Sequence, residues 1–211
     1  MPTFTSWATT RALTAYRTTK FKQRRQIMTR FRHLPHVQVG GCTGLTFGWL
    51  QRHRRSPSEG GTARLAVLNT DQHWNHIDYL ASVFNSRAAG KSYADRIATV
   101  AKHSLGMKAG EMCEHTSAKD FSAVIHHLDN HPGYHAALMV LGGANTNHIC
   151  AAVQRSSDLV FFDPNSGEYT VKNEHREGFF TALYAQYRTY VSSTGARRNI
   201  TIDKLIFLQL I

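Results

Sequence analysis

The sequence predicts an α+β fold in which a helical N-terminal half packs on a mostly antiparallel sheet. Three observations carry that prediction. First, apolar residues before residue 130 recur at helical spacing, as Trp74, Ile77, Leu80, Ala81 and Phe84 do. Second, after Pro132-Gly133 the period changes to short apolar runs bounded by glycine and polar links. Third, two of those runs, 148–155 and 158–164, flank only Ser156-Ser157, which reads as an antiparallel hairpin. Helices followed by strands segregate into an α+β arrangement.

Taken in order, residues 42–53 read as a helix carrying Leu45, Trp49 and Leu50, and 54–64 as a loop by their Pro, Ser and Gly content. Residues 71–87 form the next helix, with Asp71 as its N-cap. A further helix over 92–106 ends at Gly106. Residues 117–130 open with Ser117 and Asp120, a pair that resembles a capping box, and stop before Pro132. The run 134–143 is consistent with a buried strand. Residues 176–191 return to helical spacing through Phe179, Leu183 and Tyr187, and 199–211 close the chain as a strand. The sequence has no internal repeat.

The 211 residues suit one domain with a sizeable core. No apolar run reaches the ~18–20 residues that span a bilayer. The start lacks the ordered regions of a Sec signal peptide. Three cysteines (Cys42, Cys113 and Cys150) make no disulfide framework. The net charge of +11 is uneven: the first acidic residue is Glu59, and eleven Lys or Arg precede it. Residues 1–34 are therefore expected to be a basic, flexible arm, ahead of a domain over 35–211. A solvated tail is the plain reading of that arm. The functional readings are a targeting segment, a contact for an acidic membrane surface, or a nucleic-acid arm. An acid-free start rich in Arg, Ser and Thr also imitates a mitochondrial transit peptide.

The hairpin brings chemistry together. A two-residue link pairs Arg155 with Asp158 and sets Cys150 opposite Asp163. Side chains alternate along a strand, so His148 shares the Cys150 face and lies diagonal to Asp163, within side-chain reach. A carboxylate beside an imidazole fixes its tautomer and favours its charged form. Cys42 supplies the nucleophile: Gly40 and Gly41 turn the chain, and a helix starting there places the thiol near free N–H groups and the positive end of the dipole. A cysteine at a helix start facing a His–Asp pair on a distant sheet is a papain-like arrangement. Gln38, the nearest upstream amide, is the expected oxyanion donor beside the Cys42 N–H.

These residues resemble the YopT/AvrPphB family of papain-like cysteine proteases. The likeness rests on "GGCTGLTFGWL" around Cys42, "NHICAAV" around His148 and "VFFDPNSGEY" around Asp163, in that order. It implies a papain-like fold over 35–211, with Cys42 as nucleophile, His148 as general base and acid, and Asp163 as the orienting residue. It implies export into a host cell through a type III secretion system, and a host protein substrate such as a prenylated Rho-type GTPase or a kinase. The chain departs from the family pattern in three ways. Cys42 comes early, no Gly follows Met1, and Asn147 stands where the family commonly has Gly.

Three rivals compete. Cys113, His115, His126, His127, His131 and His135 cluster in sequence, but no pair has a strong zinc spacing, so neither metal nor cofactor is expected. A basic nucleic-acid- or membrane-binding module explains the arm and leaves the motifs unexplained. An amidase, deamidase or acyltransferase would share the thiolate and the oxyanion hole and differ in acceptor. A cysteine endopeptidase, expected to act as a monomer, accounts for the most residues. Cys113 and Cys150 are expected to be buried and inert, and Trp49, Phe161 and Phe162 to be core.

Overall fold

The computed structural model describes residues 4–7, 11–86, 91–116, 119–142, 146–188, 190–192, 197–198 and 200–211. Its elements run β1 (Phe4–Trp7), α1 (Arg11–Thr14), β2 (Arg17–Lys20), α2 (Gln23–Thr29), α3 (Val37–Arg55), α4 (Gly61–Leu68), α5 (Asp71–Ser86) and α6 (Tyr93–Leu105). They continue as β3 (Ala109–His115), α7 (Ser122–Asn130), β4 (Gly133–Gly142), β5 (Thr146–Gln154), β6 (Asp158–Asp163) and β7 (Gly167–Lys172). After a 3₁₀ turn (Asn173–His175) come α8 (Arg176–Arg188), β8 (Tyr190–Ser192), β9 (Arg197–Arg198) and β10 (Thr201–Leu210).

Seven strands form one sheet in the order β2-β7-β6-β5-β4-β10-β3, every described pairing antiparallel; β1, β8 and β9 form a small second sheet. Helices cover both faces. One core joins α3, α5 and α6 to the face carrying Ile149, Ala151 and Val153; the other joins α7 and α8 to the face carrying Cys150 and Ala152. That split follows from the period of two along β5. Trp49, Phe161 and Phe162 are fully buried, and the Trp49 and Phe162 rings stack at 5.6 Å. At Gly44 the α3 backbone meets α5 so closely that a Cβ there would lie 2.2 Å from the Ile77 carbonyl oxygen.

The structure corrects several expectations. The segment expected to be a separate arm is partly built into the fold. β2 pairs with β7 at the sheet edge, and Leu13, Phe21, Phe31 and Leu34 are buried. Those four apolar side chains outweigh the like-charge crowding around them. The expected loop over 54–64 is shorter, because α3 runs to Arg55 and α4 starts at Gly61. Asp71 begins α5 but its carboxylate pairs with Arg30 at 2.8 Å. Helix α7 starts at Ser122, whose N–H donates to the Asp120 carboxylate at 2.9 Å; Ser117 lies outside the described residues. Helix α6 ends at Gly106 as expected.

Candidate active site

The β5–β6 hairpin has the register read from its link. Arg155 N–H donates to the Asp158 carbonyl at 2.8 Å, and Gln154 pairs with Leu159 and Ala151 with Phe162. That ladder carries His148 to Asp163: the ring Nε2 lies 2.8 Å from Oδ1. Both side chains are buried. With Nε2 held by the carboxylate, Nδ1 is the nitrogen left for a sulfur.

Asp163 is well supplied with donors. Oδ1 also accepts the Asn165 N–H at 2.8 Å, and Oδ2 accepts the Ser166 hydroxyl at 2.6 Å and the Tyr187 hydroxyl at 3.0 Å. The turn after β6 provides two of these, closed by the Ser166 N–H on the Asp163 carbonyl at 3.0 Å. Burial alone would raise the Asp163 pKa; the bonds from His148, Ser166 and Asn165 outweigh it and hold the carboxyl below its usual range.

Helix α3 brings Cys42 to this pair by gripping one residue of β5. The β5–β6 ladder starts at Ala151, so Ile149 lies beyond it. The Ile149 carbonyl accepts the Thr46 hydroxyl at 2.9 Å, and its backbone N–H bonds the Cys42 sulfur. Cys42 and Thr46 are one helical turn apart, so one helix face makes both contacts. Burial raises the Cys42 pKa, but the His148 bond and charge, the Ile149 N–H and Thr43 bring the thiol below its ordinary value. Burial opposes charge on His148 too, yet the ring is held well above its ordinary value. A charged Cys150 would pull hardest on it, but burial pushes that thiol up to about 12, so Cys150 is neutral near pH 7. Asp163 and Cys42 remain as the partners that keep the ring protonated. Two thiols flank one imidazole, and their pKa values are driven apart, Cys42 downward and Cys150 upward.

The expected start of α3 and the expected burial of Cys113 need correction. Asp78 accepts the N–H groups of His36 and Val37, both at 2.9 Å, so α3 starts before the glycines. Gly40 and Gly41 lie inside the helix, and Cys42 is in its second turn. Its N–H is directed at the Gln38 carbonyl, and the dipole, which acts in the first turn, adds little there. Gln38 is exposed, and its amide donates to the Arg32 carbonyl at 2.6 Å. Cys150 is fully buried as expected, whereas Cys113 is half-buried on edge strand β3.

The sequence reading missed Asn165, Ser166, Tyr187 and Asp78. A tyrosine closing an apolar helical stripe was the available signal for Tyr187, since a buried hydroxyl needs a partner. His148, Cys150 and Asp163 present donor atoms within 4.8 Å of one another, a set that would also suit a metal ion.

The model of the peptidase family C58, Yersinia/Haemophilus virulence surface antigen, matches residues 11–202. The chain belongs to this family. It is thus a virulence-associated cysteine protease, a thiol hydrolase. The fold agrees: the crystal structure of the Pseudomonas avirulence protein AvrPphB superposes with a TM-score of 0.66 at 17% identity, over 83% of this chain and 94% of that one. The fold is therefore papain-like. No curated protein matches the chain significantly.

Proposed function

We propose that this chain is a bacterial effector endopeptidase whose catalytic residues are Cys42, His148 and Asp163. The observation that carries the reading is the 2.8 Å hydrogen bond from His148 Nε2 to Asp163 Oδ1, which leaves Nδ1 for the Cys42 sulfur. The Cys42 thiolate attacks a peptide carbonyl carbon and forms a thioester as the C–N bond breaks. The leaving amine takes the proton from His148. Water, deprotonated by the same ring, then cleaves the thioester, releasing the carboxylic acid and restoring the thiolate. Asp163 holds the ring throughout.

Gln38 is the proposed oxyanion donor. It stands one helical turn before Cys42 on the same face and must release the Arg32 carbonyl to act. Gln38→Ala then lowers kcat by about 10²-fold, and an unchanged kcat removes it from the mechanism.

Family membership supports a host protein as substrate, with a Rho-type GTPase or a kinase as the candidates, and delivery by type III secretion. Among the described residues no helix is long and apolar enough to cross a membrane. The test is to incubate host-cell extract with wild type and with Cys42→Ala and to sequence new protein N-termini. New termini made only by the wild type are expected. None, or the same set from both proteins, overturns the reading.

A further inference from the structure

Three exposed cations of the N-terminal segment, Lys22, Arg25 and Arg32, flank the elements that carry the proposed catalytic residues. Helix α2 packs between the turn after β6 and the start of α3. The Gln23 N–H donates to the Pro164 carbonyl at 2.9 Å, and its side-chain amide donates to Asn165 Oδ1 at 2.7 Å, one residue from the Ser166 that braces Asp163. On its other side α2 leans on the start of α3: a side chain at Gly41 would come within 3.2 Å of Ile27 Cδ1 and 3.6 Å of Gln23 Oε1. Helical spacing puts Gln23 and Ile27 on one inward face and Arg25 on the outer one. Lys22 precedes that helix. Arg32 follows it, tied through its carbonyl to Gln38, one turn before Cys42.

Lys22, Arg25 and Arg32 are exposed, and none makes an ion pair among the described residues. Along the chain, too, no acidic residue stands beside them. The segments 20–58 and 130–157, which contribute α2, α3 and β5, contain no Asp or Glu. Of the carboxylates next to these elements, Asp71 pairs with Arg30, Asp78 caps α3 and Asp163 holds His148. Lys22, Arg25 and Arg32 thus carry positive charge with no paired carboxylate among the described residues.

Building on the protease reading, we infer that Lys22, Arg25 and Arg32 select substrate segments rich in Asp or Glu beside the scissile bond. The adjacency of α2 to Cys42 and Asn165 makes the partner the segment being cut, rather than a distant membrane or nucleic acid. Rim charges of this kind steer and orient an extended peptide, so they act mainly on KM and weaken with salt.

The test uses the full chain and a proteome-derived peptide library, with cleaved ends read by mass spectrometry. Asp and Glu should be enriched within about four positions of the cut. A matched pair of peptides is then made, one carrying Asp and one Lys at those positions. The triple variant Lys22→Glu/Arg25→Glu/Arg32→Glu should lose roughly five- to tenfold in kcat/KM on the Asp peptide, chiefly through KM, and gain on the Lys peptide. A gain cannot come from misfolding. Cleavage without acid enrichment, or an unchanged preference in the triple variant, overturns the inference and leaves the protease reading standing. A wild type that cuts nothing in the library overturns the protease reading as well.

Discussion

Asp163 and Glu168 stand at the two ends of one turn, both buried, and their partners differ in kind. Glu168 Oε2 accepts Trp49 Nε1–H at 2.8 Å and Arg64 at 2.6 Å. A guanidinium keeps its proton at any working pH. This pair therefore braces: it ties α3 and α4 to β7, and the Thr18 hydroxyl on the Glu168 carbonyl adds β2. Asp163 faces an imidazole, whose proton can leave. The same chemistry of a buried, well-donated carboxylate gives a strut at one end and, in the proposed mechanism, the group that orients the imidazole at the other. Between them Gly167, with φ +127°, lets β2 approach so closely that a Cβ there would sit 2.0 Å from the Thr19 carbonyl oxygen.

The largest effects should come from the Asp163 end. Cys42→Ala and His148→Ala should each cost on the order of 10⁶ in kcat, and Asp163→Ala about 10⁴, measured on a cleaved peptide. Equal, total loss in all three with unchanged melting would mean that Asp163 does more than orient the ring. The Glu168 end should answer in stability instead. Arg64→Ala strands a buried carboxylate and should cost about 3–5 kcal/mol in denaturant unfolding. A loss of activity without a loss of stability would erase the contrast.

Acid should sharpen it further. Burial holds His53 and His135 at about 4, whereas an unfolded histidine titrates near 6.5. Between those values the unfolded chain binds more protons, so stability falls as pH drops, by at most about 1.4 kcal/mol per unit for each ring. Thermal melts from pH 7 to 5 should show the fall, and His135→Gln should flatten it. The smallest effect expected is that of Tyr187→Phe. It removes one of two donors to Asp163 Oδ2 and should slow turnover about fivefold, from a bond worth about 1 kcal/mol. A loss as large as that of Asp163→Ala would make the tyrosine hydroxyl a principal support of the site.

Local rules reached as far as local geometry did. The hairpin register followed from a link of two residues, and it placed His148 beside Asp163. The helices over 71–86 and 93–105 followed from spacing and a closing glycine. What failed depended on partners far along the chain. The start of α3 is set by Asp78, some forty residues away, so the position of Cys42 in its helix was misjudged. The buried Arg64–Glu168 pair spans 104 residues. Net charge hid the anchoring role of Leu13, Phe21 and Phe31 in the N-terminal segment. Strand β3, half-exposed and edge-placed, has too little apolar character to announce itself.

The proposed mechanism needs Cys42, alone of the three cysteines, to be activated as a thiolate by His148. Iodoacetamide labelling near pH 6 tests it most directly, because an unperturbed thiol, with a pKa of about 8.5, is almost wholly protonated there. Wild type should label fast at Cys42 and slowly at Cys113 and Cys150, and His148→Ala should remove the fast site. Slow and equal labelling of all three cysteines would contradict the account.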